Sequence, residues 1–488
     1  MIELSVGTIA STTGGQLRGA DPDTLVTGPV EFDSRKVTPG SIFMALPGAR
    51  VDGHDFVPAA MDKGAALAIV AREVDAPCIV AEPVPTPTES ANATAFEHDA
   101  DGGGAAVLAA IDKLARYNTD QLVEQGLTVV GVTGSAGKTS TKDLIGTVLS
   151  TAGPTVAPPG SFNNEIGLPY TALRANSDTR FLVSEMSARG IGHIRHLTEV
   201  TPPQIGVVLN VGSAHMGEFG SRDAIAQAKG ELVEALDEGG VAILNADDEH
   251  VAAMAQRTSA RVVTFSVGGD ADYQAREVEL DRMARATFTL VHPHGDPVTL
   301  RLQVFGAHQV SNALAAAAVA MEVGIDPAQV TTALSEHRAL SAHRMDVRER
   351  RDGVTVINDA YNANPESMRA GLEALAYTAG EATSWAVVGQ MGELGTKATA
   401  EHEQLGRTMG ELGIDRAVVV GNGVNQQAIA EAAESAGVRT VQVEDIDAAV
   451  NYIDLDLAAG DVVLVKASQS EGLWAVAEGL LFGEGEGA

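Results

Sequence analysis

The chain has 488 residues, enough for about three domains of ordinary size. Its 33 basic and 65 acidic side chains leave a formal net charge of −32, which argues against nucleic-acid binding and against binding to anionic membranes. Cys78 is the only cysteine, so the sequence excludes an internal disulfide and a cysteine-based metal cluster. It shows neither a signal-peptide pattern nor an apolar run long enough to insert into a membrane, which predicts a cytoplasmic protein.

The first predicted domain is a small α/β unit at residues 1–84. Its short apolar runs predict strands at 41–46, 66–70 and 79–81, and a helix is predicted at 56–63. The stretch 82–104 is rich in Pro, Thr, Ala and Gly, which is typical of a linker or loop.

A strand, a glycine-rich turn and a helix follow one another at residues 127–150. In such a turn, backbone N–H groups cradle phosphates, while Lys138 can reach the terminal phosphates and the Thr139 hydroxyl can bind Mg²⁺. The usual pattern has glycine where this chain has Val132, and the alternative interpretation is an ordinary helix-entry turn. The flanking strand and helix favour a nucleotide site. Its predicted residues are Gly134, Ser135, Gly137, Lys138, Thr139 and Ser140.

Alternating strands and helices predict a central P-loop domain with a parallel, ATPase-like sheet at residues 85–340. Further strands are predicted at 181–186, 205–210, 241–245 and 262–266. A hairpin is predicted at 286–305 and a long helix at 309–322.

A third domain, at residues 341–488, repeats strand and helix more regularly. This order predicts a Rossmann-like, doubly wound fold, so the whole chain is expected to be α/β with three domains. Its first turn lacks G-x-G-x-x-G, which disfavours dinucleotide binding. The predicted strands lie at 354–358, 385–389, 417–421, 440–443 and 462–466.

Polar side chains near the predicted strand ends are candidates for chemistry, because open α/β sheets bind ligands there. Glu185 and His215 follow strands of the central domain, and Lys229 lies in a helix; the first two can bind Mg²⁺ beside phosphates. The structural alternatives are a helix-terminal acid, a loop histidine and a solvated lysine. The polar string 358–365 predicts either a ligand loop or an Asx-rich helix cap.

Taken together, ordered motifs from about residue 33 to residue 466 resemble the Mur ligases of peptidoglycan synthesis. The strings are TGSAGKTSTK at 133–142, SFNNEIGLP at 161–169, NVGSAHMGEFGS at 210–221, AKGEL at 228–232 and NDAYNANPESM at 358–368. Within the family, the Tyr-containing loop at 359–365 and the N-terminal string at 33–56 are most similar to the member that adds D-alanyl-D-alanine.

The resemblance implies an ATP-dependent amide ligase that works through an acyl phosphate. The expected partners are ATP, a UDP-MurNAc-tripeptide and D-Ala-D-Ala, and the expected cofactors are two Mg²⁺ ions and a CO₂-derived carbamate on Lys229. The chain is expected to be a monomer. The alternatives are another Mur-type ligase, a folylpolyglutamate-type ligase, or a P-loop GTPase, for which the Asn-Lys-x-Asp motif is missing.

The resemblance also assigns roles to individual residues. The expected catalytic residues are Lys138, Lys229 and His215, and the expected metal ligands are Thr139, Glu185, His215 and carbamylated Lys229. ATP contacts outside the phosphate loop are expected from Asn312, Arg344 and Asp359. Substrate contacts are expected from Ser34, Arg35, Asn163, Asn164, Tyr361, Asn362 and Asn364.

Three positions depart from the family pattern. Gln309 follows His308 where asparagine is frequent, and His343 precedes Arg344 where glycine is common. Gln469 takes the place of an arginine in the last motif, so no substrate role is assigned to it.

Overall fold

Three larger β-sheets, in order along the chain, organise the fold. The computed structural model describes residues 1–48, 51–85, 99, 102–213 and 216–482. Most of the linker predicted at 82–104 lies outside the described residues. In the described part of the chain, no helix is both long enough and apolar enough to cross a membrane.

The secondary structure alternates between strands and helices through most of its length. The strands are β1 (Leu4–Ser5), β2 (Gln16–Arg18), β3 (Leu25–Val26), β4 (Val30–Glu31), β5 (Ile42–Met44), β6 (Leu67–Val70), β7 (Cys78–Val80), β8 (Thr128–Thr133), β9 (Thr155–Val156), β10 (Phe181–Glu185), β11 (Ile205–Val208), β12 (Val241–Asn245), β13 (Arg261–Ser266), β14 (Tyr273–Leu280), β15 (Arg285–Val291), β16 (Val298–Phe305), β17 (Asp346–Glu349), β18 (Thr355–Asn358), β19 (Ser384–Val388), β20 (Arg416–Val420), β21 (Arg439–Val443) and β22 (Val462–Lys466). The helices are α1 (Val6–Thr13), α2 (Val57–Asp62), α3 (Gly103–Glu124), α4 (Lys138–Ser150), α5 (Gly167–Ala172), α6 (His193–Val200), α7 (Met216–Phe219), α8 (Arg222–Glu234), α9 (Glu249–Ala252), α10 (Gln309–Glu322), α11 (Pro327–Glu336), α12 (Pro365–Ala379), α13 (Ala398–Glu411), α14 (Val424–Ser435), α15 (Ile446–Asp454) and α16 (Trp474–Phe482).

The N-terminal sheet has the strand order β2-β7-β6-β5-β4. Strands β4 to β7 are parallel and β2 is antiparallel at one edge. The small α/β unit predicted from the sequence is therefore confirmed. Cys78 is fully buried in this unit, packed with apolar neighbours such as Phe43 and Val70.

The central sheet has the order β16-β15-β14-β13-β12-β11-β8-β10-β9. Its strands from β9 to β14 in this order are parallel, which confirms the predicted parallel sheet. The predicted hairpin, β15–β16, extends the same sheet through antiparallel pairing with β14, a strand that the sequence did not predict. Strands β10 and β11 lie on either side of β8, so the turn after β8 lies where the chain changes direction across the sheet.

Helix α10 lies at the centre of this domain. It is rich in alanine and almost entirely buried, and it packs against both α4 and the sheet. Small side chains allow this close approach, so the beginning of α10 lies directly against the turn that precedes α4.

The third sheet has the order β17-β18-β22-β19-β20-β21. All its pairs are parallel except the edge pair β17–β18, which confirms the Rossmann-like prediction. Strand β22 lies between β18 and β19, so the loops after these three strands converge at one end of the sheet. Helix α12 follows the first of these loops.

Candidate active site

The turn between β8 and α4 forms the phosphate loop. Gly137, the residue before α4, has a φ of 82°, in the left-handed region that favours glycine. Asn210, which follows β11, braces the turn from outside. Its carbonyl accepts a hydrogen bond from the Ser135 N–H at 3.1 Å. Its side-chain amide accepts from the Ala136 N–H at 2.9 Å and donates to the Ala136 carbonyl at 3.1 Å.

Lys138 begins α4 and turns back over this loop. Its Nζ donates a hydrogen bond to the Gly134 carbonyl at 2.7 Å. Burial lowers the pKa of Lys138, and the carboxylate of Glu185 acts in the opposite direction. The predicted lysine, the loop and the predicted acid therefore lie within electrostatic reach of one another.

Thr139 and Glu185, predicted as metal ligands, are in direct contact. The Thr139 hydroxyl donates to Glu185 Oε1 at 3.2 Å, and Asn163 Nδ2 donates to the same oxygen at 2.7 Å. Glu185 is 1% exposed, and its Oε2 has no hydrogen-bond partner among the described residues. A buried carboxylate oxygen beside a hydroxyl suits Mg²⁺, a hard cation that prefers oxygen ligands.

A preformed cage is not needed for such an ion. The described residues contain no cluster of three or more His, Cys, Asp or Glu side chains that could hold a metal. Mg²⁺ is ordinarily held by one or two protein oxygens together with water and substrate phosphates. The residues present therefore fit a phosphate-bound Mg²⁺. His215, predicted as a further ligand, lies outside the described residues.

Lys229 is a buried amine in the middle of α8. It is 3% exposed, and no described residue forms a hydrogen bond or ion pair with its Nζ. Burial and the charge of Lys138 lower the pKa of Lys229 well below its ordinary value. Its burial excludes the alternative that Lys229 is a solvated helix residue. Because its pKa is lowered, a larger fraction of its amine is neutral, and so nucleophilic, than in a solvated lysine.

Two side chains that the sequence analysis did not assign hold α8 in place. The Glu231 carboxylate accepts hydrogen bonds from the backbone N–H groups of Gly192 at 2.6 Å and Arg195 at 3.0 Å, at the beginning of α6. Arg257 donates to the carbonyls of Ala226 at 2.9 Å and Gln227 at 2.8 Å. Glu231 lies in the AKGEL motif, but nothing in that motif indicates that its side chain accepts N–H groups from the beginning of a different helix.

Asn312, predicted to contact ATP, lies beside the phosphate loop. A Cβ added at Gly137 would lie 2.7 Å from Asn312 Oδ1, so glycine is also required there for lack of space. Gln309 Oε1 accepts a hydrogen bond from Asn312 Nδ2 at 2.9 Å, so this departure from the family pattern orients the predicted contact residue. Ser140, Gln309 and Arg344 line one small cavity against α4.

Arg344 reaches from the start of the third domain to the central domain. Its Nη2 donates to Ser161 Oγ at 2.9 Å, and the guanidinium carbon lies 4.3 Å from the ring centroid of Tyr361. Ser161 also contacts Thr139 Oγ1 at 2.8 Å, so it joins Arg344 to the predicted metal site. Arg344 Nε is buried without a partner among the described residues, which leaves it as a donor for an anion.

His343 shows how the chain accommodates its departure from glycine. Its φ of 57° lies in the left-handed region, where a non-glycine residue costs about 1 kcal/mol. The ring stacks on Trp474 with centroids 5.6 Å apart, and Nδ1 lies 3.0 Å from Asn358 Nδ2. The His343 carbonyl also accepts from the Tyr361 N–H at 3.1 Å. These contacts offset the strain and hold the backbone beside Arg344.

The loop after β18 is held by Lys466, the last residue of β22. Lys466 Nζ donates to Asp359 Oδ2 at 2.6 Å and to the Asn362 carbonyl at 2.9 Å, and its side chain is 2% exposed. Asp359 Oδ1 accepts from the Met345 N–H at 3.1 Å. Asp359 therefore fixes the segment that carries Arg344. The sequence predicts Lys466 as the last residue of a strand but gives no sign of this role.

Two of the predicted substrate residues use their side chains to accept backbone N–H groups where helices begin. Asn364 forms a capping box with Ser367 at the start of α12, and its Nδ2 lies 3.4 Å from the Ser135 carbonyl. Asn164 Oδ1 accepts from the Gly167 N–H at 2.9 Å, at the start of α5.

The predicted uridine-site residues Ser34 and Arg35 lie after β4 in the N-terminal domain. The Arg35 guanidinium forms a bidentate pair with Asp33, at 2.9 Å for both contacts, and this hydrogen bonding holds the pKa of Asp33 at about 2. Gln469 lies exposed in a short turn after β22.

Family models match most of the chain. The model for the Mur ligase middle domain covers residues 132–320, that for the Mur ligase glutamate ligase domain covers 343–469, and that for the Mur ligase family catalytic domain covers 29–95. The first two include the phosphate loop, Glu185, Lys229, Arg344 and Asp359.

Individual relatives match it almost end to end. The UDP-N-acetylmuramoyl-tripeptide–D-alanyl-D-alanine ligase of Mycobacterium tuberculosis is 52% identical over 99% of this chain and 98% of its own length. The enzyme of the same name from Escherichia coli is 33% identical over 86% of both chains.

Solved structures agree with this. A crystal structure of MurF from Acinetobacter baumannii has a TM-score of 0.84 at 30% identity, covering 98% of this chain and 99% of its own. MurF from Thermotoga maritima in complex with ADP has a TM-score of 0.75 at 28% identity, covering 93% and 97%. The motifs, the site geometry and these matches lead to one conclusion: the chain belongs to the Mur ligase family.

Proposed function

We propose that the chain joins D-alanyl-D-alanine to a UDP-N-acetylmuramoyl-tripeptide, with ATP converted to ADP and phosphate. The observation that carries this proposal is a set of contacts that joins two domains beside the phosphate loop: Thr139 contacts the buried Glu185, and Ser161 joins Thr139 to Arg344. The relatives of that name, matched over nearly the full length, support the choice of substrates.

The arrangement suits the activation of a carboxylate. A carboxylate is a poor electrophile and both it and the γ-phosphate are anionic, so positive groups must offset their repulsion. Lys138, Arg344 and the N-terminus of α4 supply these groups within a chain that is strongly acidic overall. A carboxylate oxygen of the tripeptide attacks the γ-phosphorus and ADP leaves. The neutral amine of the dipeptide then attacks the acyl carbon, inorganic phosphate leaves, and the nitrogen loses one proton as the amide forms.

The proposal includes Mg²⁺ at the described oxygen ligands. The Thr139 hydroxyl and the Glu185 carboxylate would hold one ion, which would neutralise charge between the phosphates and the attacking carboxylate. Asn163 fixes the orientation of the Glu185 carboxylate through Oε1 and leaves Oε2 available. We propose His215 as part of a second site.

We also propose that Lys229 carries a carbamate. Its burial without a described partner, near Lys138, is unfavourable for an ammonium ion, whereas a neutral amine adds to CO₂ with loss of a proton and becomes an anion. That anion would be attracted by the Lys138 ammonium, whose charge disfavours a second ammonium at Lys229.

The domain limits 1–84, 85–340 and 341–488 are part of the proposal, since they separate the three sheets. We further propose that the chain acts as a monomer, because the described site residues come from two domains of one chain. A cytoplasmic location is proposed because both ATP and a UDP-linked substrate are consumed.

The decisive experiment measures phosphate release from ATP by the purified chain. Release is expected only when Mg²⁺, a UDP-MurNAc-tripeptide and D-Ala-D-Ala are all present, and the tripeptide is supplied with either diaminopimelate or lysine at its third position. A Glu185→Gln variant removes the charge of the proposed metal ligand and is expected to lose at least about 100-fold in kcat. Equal turnover with single amino acids, or with a folate and glutamate, would refute the proposal.

The carbamate has its own test. Lys229→Ala is expected to lose most of the activity and to recover part of it when short carboxylic acids are added, because they can replace the missing anion. Independently, ¹³C-labelled bicarbonate is expected to give a carbamate resonance in the wild-type protein and none in Lys229→Ala. Full activity of Lys229→Ala, or the same carbamate resonance in Lys229→Ala as in the wild type, would exclude the modification.

A further inference from the structure

The first turn of α12, in the third domain, reaches into the central domain. Glu366, the second residue of this helix, accepts two hydrogen bonds there. Its Oε1 accepts from the Ser213 N–H at 2.6 Å, and its Oε2 accepts from Ser213 Oγ at 3.0 Å. Both oxygens of one carboxylate are thus used by a single residue of the other domain.

The residue that Glu366 contacts belongs to the wall of the phosphate loop. Gly212, its neighbour, donates its N–H to Ser135 Oγ at 2.9 Å, and Val211 donates its N–H to Asp248 Oδ2 at 2.8 Å. The turn at 212–213 is therefore bound to the phosphate loop on one side and to Glu366 on the other.

The close approach of the two domains is visible at Gly212. A Cβ added there would lie 2.8 Å from the carboxyl carbon of Glu366, so any larger residue would displace the acid. A second close approach occurs where a Cβ at Gly217 would lie 2.5 Å from the Gly395 nitrogen. The contact at Glu366 is thus part of a closely packed face between the central and third domains.

The charge of Glu366 is otherwise weakly compensated. Among the described residues, its one ion pair is with Arg222, whose Nη2 lies 3.8 Å from Oε1. Glu373, on the same helix, pairs instead with Arg369 one turn away at 3.0 Å, and both are about half exposed. Helix α12 therefore offers two glutamates of equal charge, and of these two only Glu366 is hydrogen-bonded to the described residues of the central domain.

We propose that Glu366 is a positioning residue for the ligase reaction. Its carboxylate fixes the first turn of α12 on the turn at 212–213, and this holds Arg344 against Ser161 at the phosphate loop. The residue touches none of the reacting groups; it acts by setting the distance between the two halves of the nucleotide site. The inference rests on the proposed function for the nature of the reaction, while the domain contact itself is a described feature.

The test compares Glu366→Ala and Glu366→Gln with Glu373→Ala in the full chain. The measurements are the affinity for a non-hydrolysable ATP analogue with Mg²⁺, the change in small-angle scattering that the analogue causes, and the kcat and KM for ATP. Hydrogen bonds to a charged group predict a loss of about 10- to 100-fold in analogue affinity for Glu366→Ala. The scattering change that the analogue causes should be smaller for Glu366→Ala than for the wild type, and KM for ATP should rise more than kcat falls.

Ser213→Ala provides the matched partner. It removes the hydroxyl donor and keeps the backbone donor, so a smaller loss of about 3- to 10-fold is expected. In the Glu366→Ala background the same change should have no further effect, since the acceptor is already gone. Glu366→Gln keeps the shape and one acceptor oxygen and should lie between the wild type and the alanine variant.

Unchanged analogue affinity and scattering in Glu366→Ala would overturn the inference, as would equal losses in Glu373→Ala or full additivity with Ser213→Ala. Should Glu366→Ala fail to fold, the same comparisons apply to Glu366→Gln. Neither the affinity nor the scattering measurement needs the peptide substrates. A failure of the proposed function would therefore appear in the turnover assay of the wild type, and a failure of this inference would appear in the binding data.

Discussion

Glu231 allows a test of how the helix that carries Lys229 is held in place. Its carboxylate is 2% exposed and accepts from two backbone N–H groups at the beginning of α6. In Glu231→Ala both donors lose a charged acceptor. Each such bond contributes about 1.5–3 kcal/mol. Water can replace part of this, because both donors are only partly buried, which leaves an expected loss of about 3 kcal/mol in the free energy of unfolding.

The loss should also reach the active site. Lys229 lies two residues from Glu231 on α8, and α6 follows the strand that ends at Glu185. Without the Glu231 carboxylate, Arg257 still holds the first half of α8 but the tie to α6 is lost, so the position of Lys229 relative to Glu185 is less firmly fixed and kcat should fall more than the affinity for ATP. Glu231→Gln keeps one acceptor oxygen and should lose about half as much stability.

Thermal unfolding and steady-state kinetics check this prediction. For a domain of roughly 250 residues, a loss of about 3 kcal/mol corresponds to a decrease of about 6–12 °C in Tm. Glu234→Ala, on the same helix, is the matched control, because Glu234 is more exposed and its bond to Arg257 lies at the surface. A Tm for Glu231→Ala within about 2 °C of that control would refute the reasoning.

Three further substitutions have defined outcomes. His343→Gly relieves about 1 kcal/mol of backbone strain but loses the stacking on Trp474 and the contact with Asn358. The free energy of unfolding should therefore change by less than about 1 kcal/mol, while KM for ATP rises. A gain of about 2 kcal/mol in a denaturant titration would contradict this prediction. Tyr361→Phe should keep most of the activity, because a phenyl ring still stacks on Arg344. Tyr361→Leu removes the ring and should lose about 3- to 10-fold in kcat/KM. Equal losses in the two variants would exclude the stacking role. Burial raises the pKa of Glu165 from 4.5 to about 7, so the folded state retains this proton and the free energy of unfolding falls as the pH rises between these two values. In chemical denaturation, Glu165→Gln should be more stable than the wild type at pH 8, by on the order of 3 kcal/mol, and equal to it near pH 4. Equal stability of the two proteins at both pH values would contradict this prediction.

The elements that sequence reasoning located well have strong local patterns. The strand and helix around the phosphate loop, the hairpin at β15–β16 and the long helix α10 all appear within a few residues of their predicted bounds. Helix α11 and strand β14 were not predicted. Strand β14 has no regular apolar pattern, because its first residues are buried and most of its second half is exposed.

The candidate site divides in the same way. Glu185, Thr139 and Lys229 could be selected because their residue types suit phosphate and metal chemistry and they follow recognisable strands or motifs. Ser161, Asn210, Lys466, Glu231 and Glu366 were not selected, since each acts through a contact with a segment distant in sequence. Asn164 and Asn364 were predicted to contact substrate; in the structure Asn364 caps α12, and Asn164 accepts the N–H of Gly167, the first residue of α5.

The sequence by itself determined the α/β class, the phosphate loop and the family, because apolar spacing and the order of motifs are properties of the chain alone. Only the tertiary structure decided that Glu185 has an oxygen with no partner in the described part of the chain, that Lys229 is buried, and that Glu366 contacts Ser213. The physical reason is that burial and pairing depend on which distant segments share the same space. Arg344 and Ser161 are 183 residues apart, and their hydrogen bond depends on the packing of two domains, which no local pattern encodes.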